Sequence, residues 1–171
     1  MTFVRILSFD PGTADTGWSL VEGTEKDIRL TEHFGVIKTS KDDGDVRTRI
    51  DRIGHVMRTL IEELEPTHVV IEDFTEQGKR VGTTYKEMSW LIEHMRMVGR
   101  EAGHDITIYE NAEWKQLAVG AGRLNKDQVK HFVAHRVAGA GTYLKGRPTH
   151  IWDSVGIGYA RFIQLTGGRE K

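Results

Sequence analysis

Four residues in this sequence have side chains that could together bind metal ions and support hydrolysis. Asp10 ends an apolar run and is followed by a Pro-Gly pair, which breaks a strand because Pro lacks the N–H and Gly tolerates positive φ. Glu72 ends a second, β-branched apolar run. His150 and Asp153 are three residues apart, so on a helix both project from one face. Strand ends and a crossing helix can converge on one cleft, which predicts an acidic site.

Three carboxylates in one cleft would repel one another unless a cation compensates them. Mg²⁺ or Mn²⁺ suits such oxygen ligands, with water and a substrate phosphate completing its coordination. Two such ions can activate water and stabilise the leaving oxygen of a phosphodiester. The chemistry that this set predicts is therefore metal-dependent phosphodiester hydrolysis.

The spacing alone leaves other interpretations open. Asp10 stands in an Asp-Pro-Gly segment, which is ordinary turn chemistry, so it could simply cap a turn. A lone histidine near a helix start, such as His150, is more often a cap or a surface residue than a ligand. The carboxylates also lie far apart in sequence, so their pattern is weak by itself.

Composition limits the class of protein. The chain has 171 residues, which predicts one domain over 1–171, and 38% hydrophobic residues with four Trp, which favours a globular protein. The sequence has no Cys, no signal-peptide pattern and no apolar run long enough to span a bilayer, so we expect a cytoplasmic location and no membrane partner. Its net charge is −1, so nucleic-acid binding must depend on where the charges lie.

The elements that would position the acids follow from the hydrophobic periodicity. Alternating or β-branched runs predict strands, and apolar residues at spacings of three and four predict helices. Strands are predicted at 3–10, 16–22, 29–39, 68–73 and 106–109. Helices are predicted at 46–65, 83–103, 111–119, 126–137 and 149–165, with 139–147 as a loop. The predicted fold is α/β, a mixed five-stranded sheet that starts with a three-strand meander. In the last helix, Gly156 and Gly158 predict close packing against another element.

Four blocks of the sequence resemble RuvC-type Holliday junction resolvases, nucleases of the ribonuclease H-like fold. The first is residues 6–13 with the Thr-Gly pair at 16–17, and the second is residues 69–72. The third is the Lys-containing, Gly-rich segment and following helix at 114–129, and the fourth is residues 150–158. The resemblance covers nearly the whole chain and implies this fold for 1–171.

The resemblance implies a catalytic and metal-binding set of Asp10, Glu72, His150 and Asp153 with two Mg²⁺ or Mn²⁺ ions. Many members have Asp at the position of His150, and an imidazole there suits Mn²⁺ better than Mg²⁺. It also implies symmetric nicking of four-way DNA junctions by a homodimer that leaves 5′-phosphate ends, in the cytoplasm of a bacterium or a phage-infected host. Residues 83–103 are the expected dimer interface.

Several basic residues and one aromatic residue are predicted to bind the DNA. Two of the lysines match family lysines implicated in DNA binding, the other cations fall in loops near the predicted cleft, and the aromatic residue lies one position out of step with the family's junction wedge. The predicted DNA-binding residues are Lys79, Arg80, Lys115, Arg123, Lys126 and Phe74.

Three other functions share parts of this pattern. An Asp-x-Gly-Thr turn after a strand also opens actin-like ATPases and sugar kinases, but that class needs a second such domain. A ribonuclease H-like nuclease acting on flaps, other branched DNA or RNA would share the acids without needing the segment from 115 to 126. A non-catalytic DNA-binding relative would keep the fold alone.

Overall fold

A computed structural model describes residues 3–25, 27–74 and 83–167. Within them, one five-stranded sheet has helices packed on both faces. The strands are β1 (Val4–Asp10), β2 (Asp15–Thr24), β3 (Asp27–Lys38), β4 (His68–Glu72) and β5 (Ile106–Tyr109). The helices are α1 (Val46–Leu64), α2 (Thr83–Glu101), α3 (Asn111–Val119), α4 (Lys126–Arg136), α5 (Ala140–Tyr143) and α6 (Thr149–Thr166).

The strands lie in the order β3-β2-β1-β4-β5. β1, β2 and β3 form the predicted antiparallel meander, and β4 and β5 run parallel to β1. The α/β class and the mixed five-stranded sheet are therefore confirmed. Since β1 is the central strand, its carboxyl end lies between the carboxyl end of β4 and the amino end of β2.

Alternation along β1 divides the core into two layers. Ile6 packs on the face covered by α3, α4 and α6, whereas Leu7 and Phe9 pack on the face covered by α1 and α2. Side chains of a strand point to opposite faces with a period of two, so a strand with both faces covered is apolar throughout. Ser8 is the exception in this run, and it faces α6.

The glycines of α6 confirm the predicted close packing. A Cβ at Gly156 would lie 2.7 Å from the ring of Trp114, and a Cβ at Gly158 would lie 2.9 Å from the Ser8 hydroxyl. Such separations are well below a normal carbon contact, so a side chain at either position would push α6 away from β1 and α3. The small residues thus let the helix lie directly on the sheet.

Some predicted boundaries were wrong. The segment 139–147, predicted as a loop, contains the short helix α5, whose residue Ala140 is fully buried and packs in the core. The β2–β3 hairpin is longer than predicted, because β2 runs to Thr24 and β3 begins at Asp27. No helix in the described part of the chain is long and apolar enough to cross a membrane.

Candidate metal and nuclease site

The carboxyl ends of two neighbouring strands bring Asp10 and Glu72 together. β1 and β4 are parallel and in register, with Phe9 opposite Ile71, so the next residue of each strand is an acid at the same edge of the sheet. Asp10 and Glu72 line one cavity, whose other lining residues are Pro11, Asp73, Phe74, Met88 and Asn111. The register of β1 and β4 therefore suffices to bring two of the predicted metal ligands, Asp10 and Glu72, to one cavity.

The first turn of α6 carries His150 to the same edge. Asp10 pairs with Gly17 across the β1–β2 ladder, and a Cβ at Gly17 would lie 2.2 Å from the backbone carbonyl oxygen of His150. The missing side chain leaves room for the start of the helix beside Asp10. His150 Nδ1 then lies 2.7 Å from Asp10 Oδ2. Because an ionised carboxylate can only accept, Nδ1 carries the donated proton and Nε2 is left for another partner.

Three buried hydroxyls fix the height of α6 above the sheet. Ser8, Ser19 and Ser154 are all fully buried, on β1, β2 and α6 respectively. The Ser8 hydroxyl donates to the carbonyl oxygen of Ser154 at 2.7 Å, and the Ser154 hydroxyl donates to the carbonyl of Ile151 at 2.8 Å. The Ser19 hydroxyl lies 3.1 Å from Ser8 Oγ and 3.0 Å from Ser154 Oγ, so it can donate to either.

The residues of this hydroxyl triangle are close to two of the acids along the chain. Ser8 is two residues before Asp10, and Ser154 follows Asp153. A buried polar group must keep its hydrogen bonds or lose about 1–3 kcal/mol, so the three hydroxyls favour one position of the helix over others. Together with Gly17, the triangle is the local reason why residues 140 positions apart meet at one point.

Burial and mutual repulsion raise the pKa of two of the carboxyl groups. Burial, then the charge of Asp10 and, to a smaller extent, the charge of Asp153 together raise the pKa of Glu72 to about 8. Burial and the charge of Asp10 also raise the pKa of Asp153 to about 6. The pKa of His150 is raised chiefly by its hydrogen bond to Asp10. The acids of β1, β4 and α6 are thus within electrostatic reach of one another.

These donors fit a hard divalent cation. Carboxylate oxygens are the ligands that Mg²⁺ and Mn²⁺ accept, and a dication would reverse the repulsion that raises the two pKa values. Among the residues that the structure describes, no three His, Asp or Glu side chains stand as a ready-made metal cluster. His150 is turned to Asp10 and Glu72 to Asn111, so ion binding requires these side chains to reorient.

Asn111 is a site residue that the sequence reasoning missed. Its side-chain amide donates to Glu72 Oε1 at 2.5 Å, and this bond opposes the rise in the pKa of Glu72. Lys115 Nζ in turn donates to Asn111 Oδ1 at 2.8 Å, and its charge lowers the pKa of Glu72 and of Asp153. A signal was present: Asn111 begins a helix just after the β5 strand end and lies four residues before Lys115.

The predicted DNA-binding residues differ in their distance from the acids. Lys115 is within the site, and Lys126 at the start of α4 is near enough for its charge to lower the pKa of Asp153. Phe74 lines the cavity of Asp10 and Glu72, is 37% exposed, and lies with its ring centroid 6.1 Å from that of Tyr85. Arg123 is exposed beyond the end of α3. Lys79 and Arg80 lie outside the described residues.

Known proteins have sequences related to this one. A family model described as crossover junction endodeoxyribonuclease RuvC matches residues 6–159. A crossover junction endodeoxyribonuclease RuvC from Roseiflexus sp. (strain RS-1) is 31% identical over 135 residues, which cover 78% of this chain and 77% of the relative.

Solved structures support the same fold. The Thermus thermophilus RuvC structure matches with a TM-score of 0.77 and 24% identity, over 95% of this chain and 96% of that one. The structure of Thermus thermophilus RuvC in complex with a Holliday junction substrate matches with a TM-score of 0.76 and 22% identity, over 96% of both chains.

Proposed function

This chain belongs to the RuvC family of crossover junction endodeoxyribonucleases, and from that premise we propose that it nicks four-way DNA junctions symmetrically by metal-dependent hydrolysis. The observation that carries this proposal is the convergence of acids from β1, β4 and α6. Burial and the charge of Asp10 raise the pKa of both Glu72 and Asp153. In a relative that had kept only the fold, carboxyls with such raised pKa values would destabilise the folded protein without serving catalysis.

We propose Asp10, Glu72, His150 and Asp153 as the catalytic and metal-binding residues. Asp10, whose charge raises the pKa of both other acids, would be the ligand shared by two Mg²⁺ or Mn²⁺ ions, and Glu72 and Asp153 would complete the carboxylate set. When bound, such ions lower the pKa of water and stabilise the leaving oxygen of a phosphodiester. Family membership supports a divalent-metal requirement; the number and identity of the ions are part of the proposal.

His150 can hold a proton at a defined atom. Its Nδ1 donates to Asp10, which leaves Nε2 of the neutral ring as the nitrogen that could bind an ion or accept a proton from the attacking water. Asn111 and Lys115 keep Glu72 oriented and partly neutralise it. The chain's own contribution is thus orientation, charge compensation and an acceptor for one proton.

For DNA binding we propose the basic residues around this edge together with the exposed ring of Phe74. Lys115 and Lys126 are proposed to approach the scissile phosphates, because their charges already act on the acids. Lys79, Arg80 and Arg123 are proposed to contact the backbone further away. Affinity that depends on phosphate contacts falls steeply with salt.

Symmetric nicking needs two sites, so we propose a homodimer. The proposed interface is the 83–103 region, where Tyr85 is 42% exposed and Met97 is 48% exposed on α2. We also propose that residues 1–171 act as a single nuclease domain in the cytoplasm of a bacterial or phage-infected cell. Sedimentation of the protein with and without junction DNA would test the dimer.

A nicking assay tests the function. Wild-type protein and the Asp10→Asn variant are incubated with labelled four-way, flap and linear DNA, with Mg²⁺, Mn²⁺ or EDTA. The proposal predicts paired nicks with 5′-phosphate and 3′-hydroxyl ends on the four-way junction only, and binding without cutting by Asp10→Asn. Preferential flap cutting would favour the more general nuclease, and absence of cutting with any ion would favour a non-catalytic DNA-binding protein.

A further inference from the structure

Helix α4 carries two exposed histidines that share one face. His131 and His135 are four residues apart, and their ring centroids are 4.2 Å apart. Residues at this spacing are neighbours on a helix surface. Two imidazoles one turn apart are also the arrangement by which a helix offers two nitrogens to a single metal ion.

A backbone hydrogen bond fixes the orientation of one of these rings. His135 Nδ1 lies 2.7 Å from the carbonyl oxygen of His131. Since a carbonyl can only accept, Nδ1 is the protonated nitrogen, and the lone pair of the neutral ring is on Nε2. Metal-binding histidines ordinarily donate their other ring nitrogen to a carbonyl or carboxylate in this way.

We propose that His131 and His135 form a chelating pair for a transition-metal ion such as Zn²⁺, Ni²⁺ or Cu²⁺. Imidazole nitrogen favours these ions over Mg²⁺, so this site selects a different ion from the carboxylate site. The two sites are also separate in space, because the histidines line a groove with no residue in common with the cavity of Asp10 and Glu72.

The surroundings of the pair limit its affinity. The groove also contains Asp127, one helical turn before His131, and the cation Arg136 beside His135. Among the described residues, no third His, Asp or Glu completes a metal cluster with the pair. The ion would therefore keep positions open to water or to a further ligand.

Chelation across one turn would stabilise the helix that begins with Lys126. An ion that binds the folded chain and not the unfolded one raises stability by mass action. The crosslink would span the C-terminal turn of α4, on the same helix that has Lys126 at its start. Occupancy of the pair would thus act on a helix that we propose for DNA contact, although the site itself does not depend on the nuclease proposal.

Zinc titration of the full-length chain tests the proposal. The titration is followed by calorimetry and by imidazole ¹⁵N chemical shifts, with Mg²⁺ in excess to occupy the carboxylate site. The variants are His131→Gln and His135→Gln, because Gln keeps polarity and helix propensity at exposed positions. The matched control is His55→Gln, at an exposed histidine of α1.

The proposal predicts one zinc ion per wild-type chain, with shifts at the Nε2 atoms of His131 and His135. Either α4 substitution should weaken this binding by at least about tenfold, the lower end of what loss of a metal-supporting group costs. The control should bind as the wild type does, and all four metal-free proteins should melt together. Unchanged zinc affinity in either α4 variant, or no zinc binding by the wild type, would overturn the proposal.

Discussion

Replacing Glu72 by Gln is expected to make the metal-free protein more stable at neutral and alkaline pH. In the unfolded chain this carboxyl ionises near pH 4.5, whereas in the folded protein its pKa is about 8, because it is buried beside Asp10. Between these two values the folded state holds a proton that the unfolded state has released. Stability therefore falls as pH rises through this window, and stays level above it.

The size of the effect follows from the difference between the two pKa values. One pKa unit corresponds to about 1.4 kcal/mol, so the rise from 4.5 to about 8 corresponds to a loss of up to about 5 kcal/mol at pH 8 and above. Gln cannot ionise, and its side-chain oxygen can still accept the bond from Asn111. Above pH 6, the free energy of unfolding of the variant should therefore no longer fall with pH. Below pH 6 it should still fall as pH rises, because the pKa of Asp153 is about 6.

Urea denaturation in EDTA at pH 5, 6, 7 and 8 measures this difference. The control is Glu62→Gln, at an exposed glutamate of α1 that lies outside the acidic cavity. Adding Mg²⁺ or Mn²⁺ should restore stability to the wild type at pH 8 and have less effect on Glu72→Gln. Parallel loss of stability with pH in the wild type and Glu72→Gln would refute the electrostatic reasoning.

Three further substitutions probe how the acids are positioned and how the DNA is bound. Ser154→Ala should lower the free energy of unfolding, measured by urea denaturation, by about 1–3 kcal/mol, because it leaves the buried Ser19 hydroxyl with fewer partners. It should also raise the metal concentration needed for half-maximal nicking. Unchanged metal dependence would argue against a positioning role. Gly17→Ala should reduce nicking severely, since its Cβ would lie 2.2 Å from the carbonyl oxygen of His150. The control Gly122→Ala should nick normally, because the atom nearest to its Cβ is 3.4 Å away. Equal nicking rates in the two variants would contradict this reasoning. Lys115→Ala should weaken junction binding. It should also reduce the slope of log affinity against log salt concentration by about 1, as expected for one lost phosphate contact. An unchanged slope would exclude that contact.

The five strands and the opening meander were predictable because each strand has a distinct signal. The β-branched run before Glu72 and the apolar run before Asp10 mark buried strands, and these two strands are neighbours in the sheet. The short helix α5 was missed, since its four residues include Gly141 and carry no periodic pattern. Tertiary packing of Ala140 decides this helix, and local sequence does not encode it.

The candidate site was predictable only in part. The acids could be selected because each stands at the end of an apolar run or on one helix face. Asn111 had only a weak signal, its place at a helix start four residues before Lys115, because its role depends on how far β5 extends beside β4, which sets its amide against Glu72. Nor does any local pattern link Ser8 with Ser154. Their contact depends on Gly17 and Gly158, whose missing side chains let α6 lie against β1 and β2.

Anomalous diffraction from a crystal soaked in Mn²⁺ tests the central claim most directly, since it locates the ions themselves. The account predicts manganese within bonding distance of Asp10, Glu72 and Asp153, at the joint edge of β1 and β4. An Asp10→Asn crystal treated in the same way should show weaker peaks there or none. Manganese bound only elsewhere on the wild-type protein, with these carboxylates remote from any ion, would contradict the account.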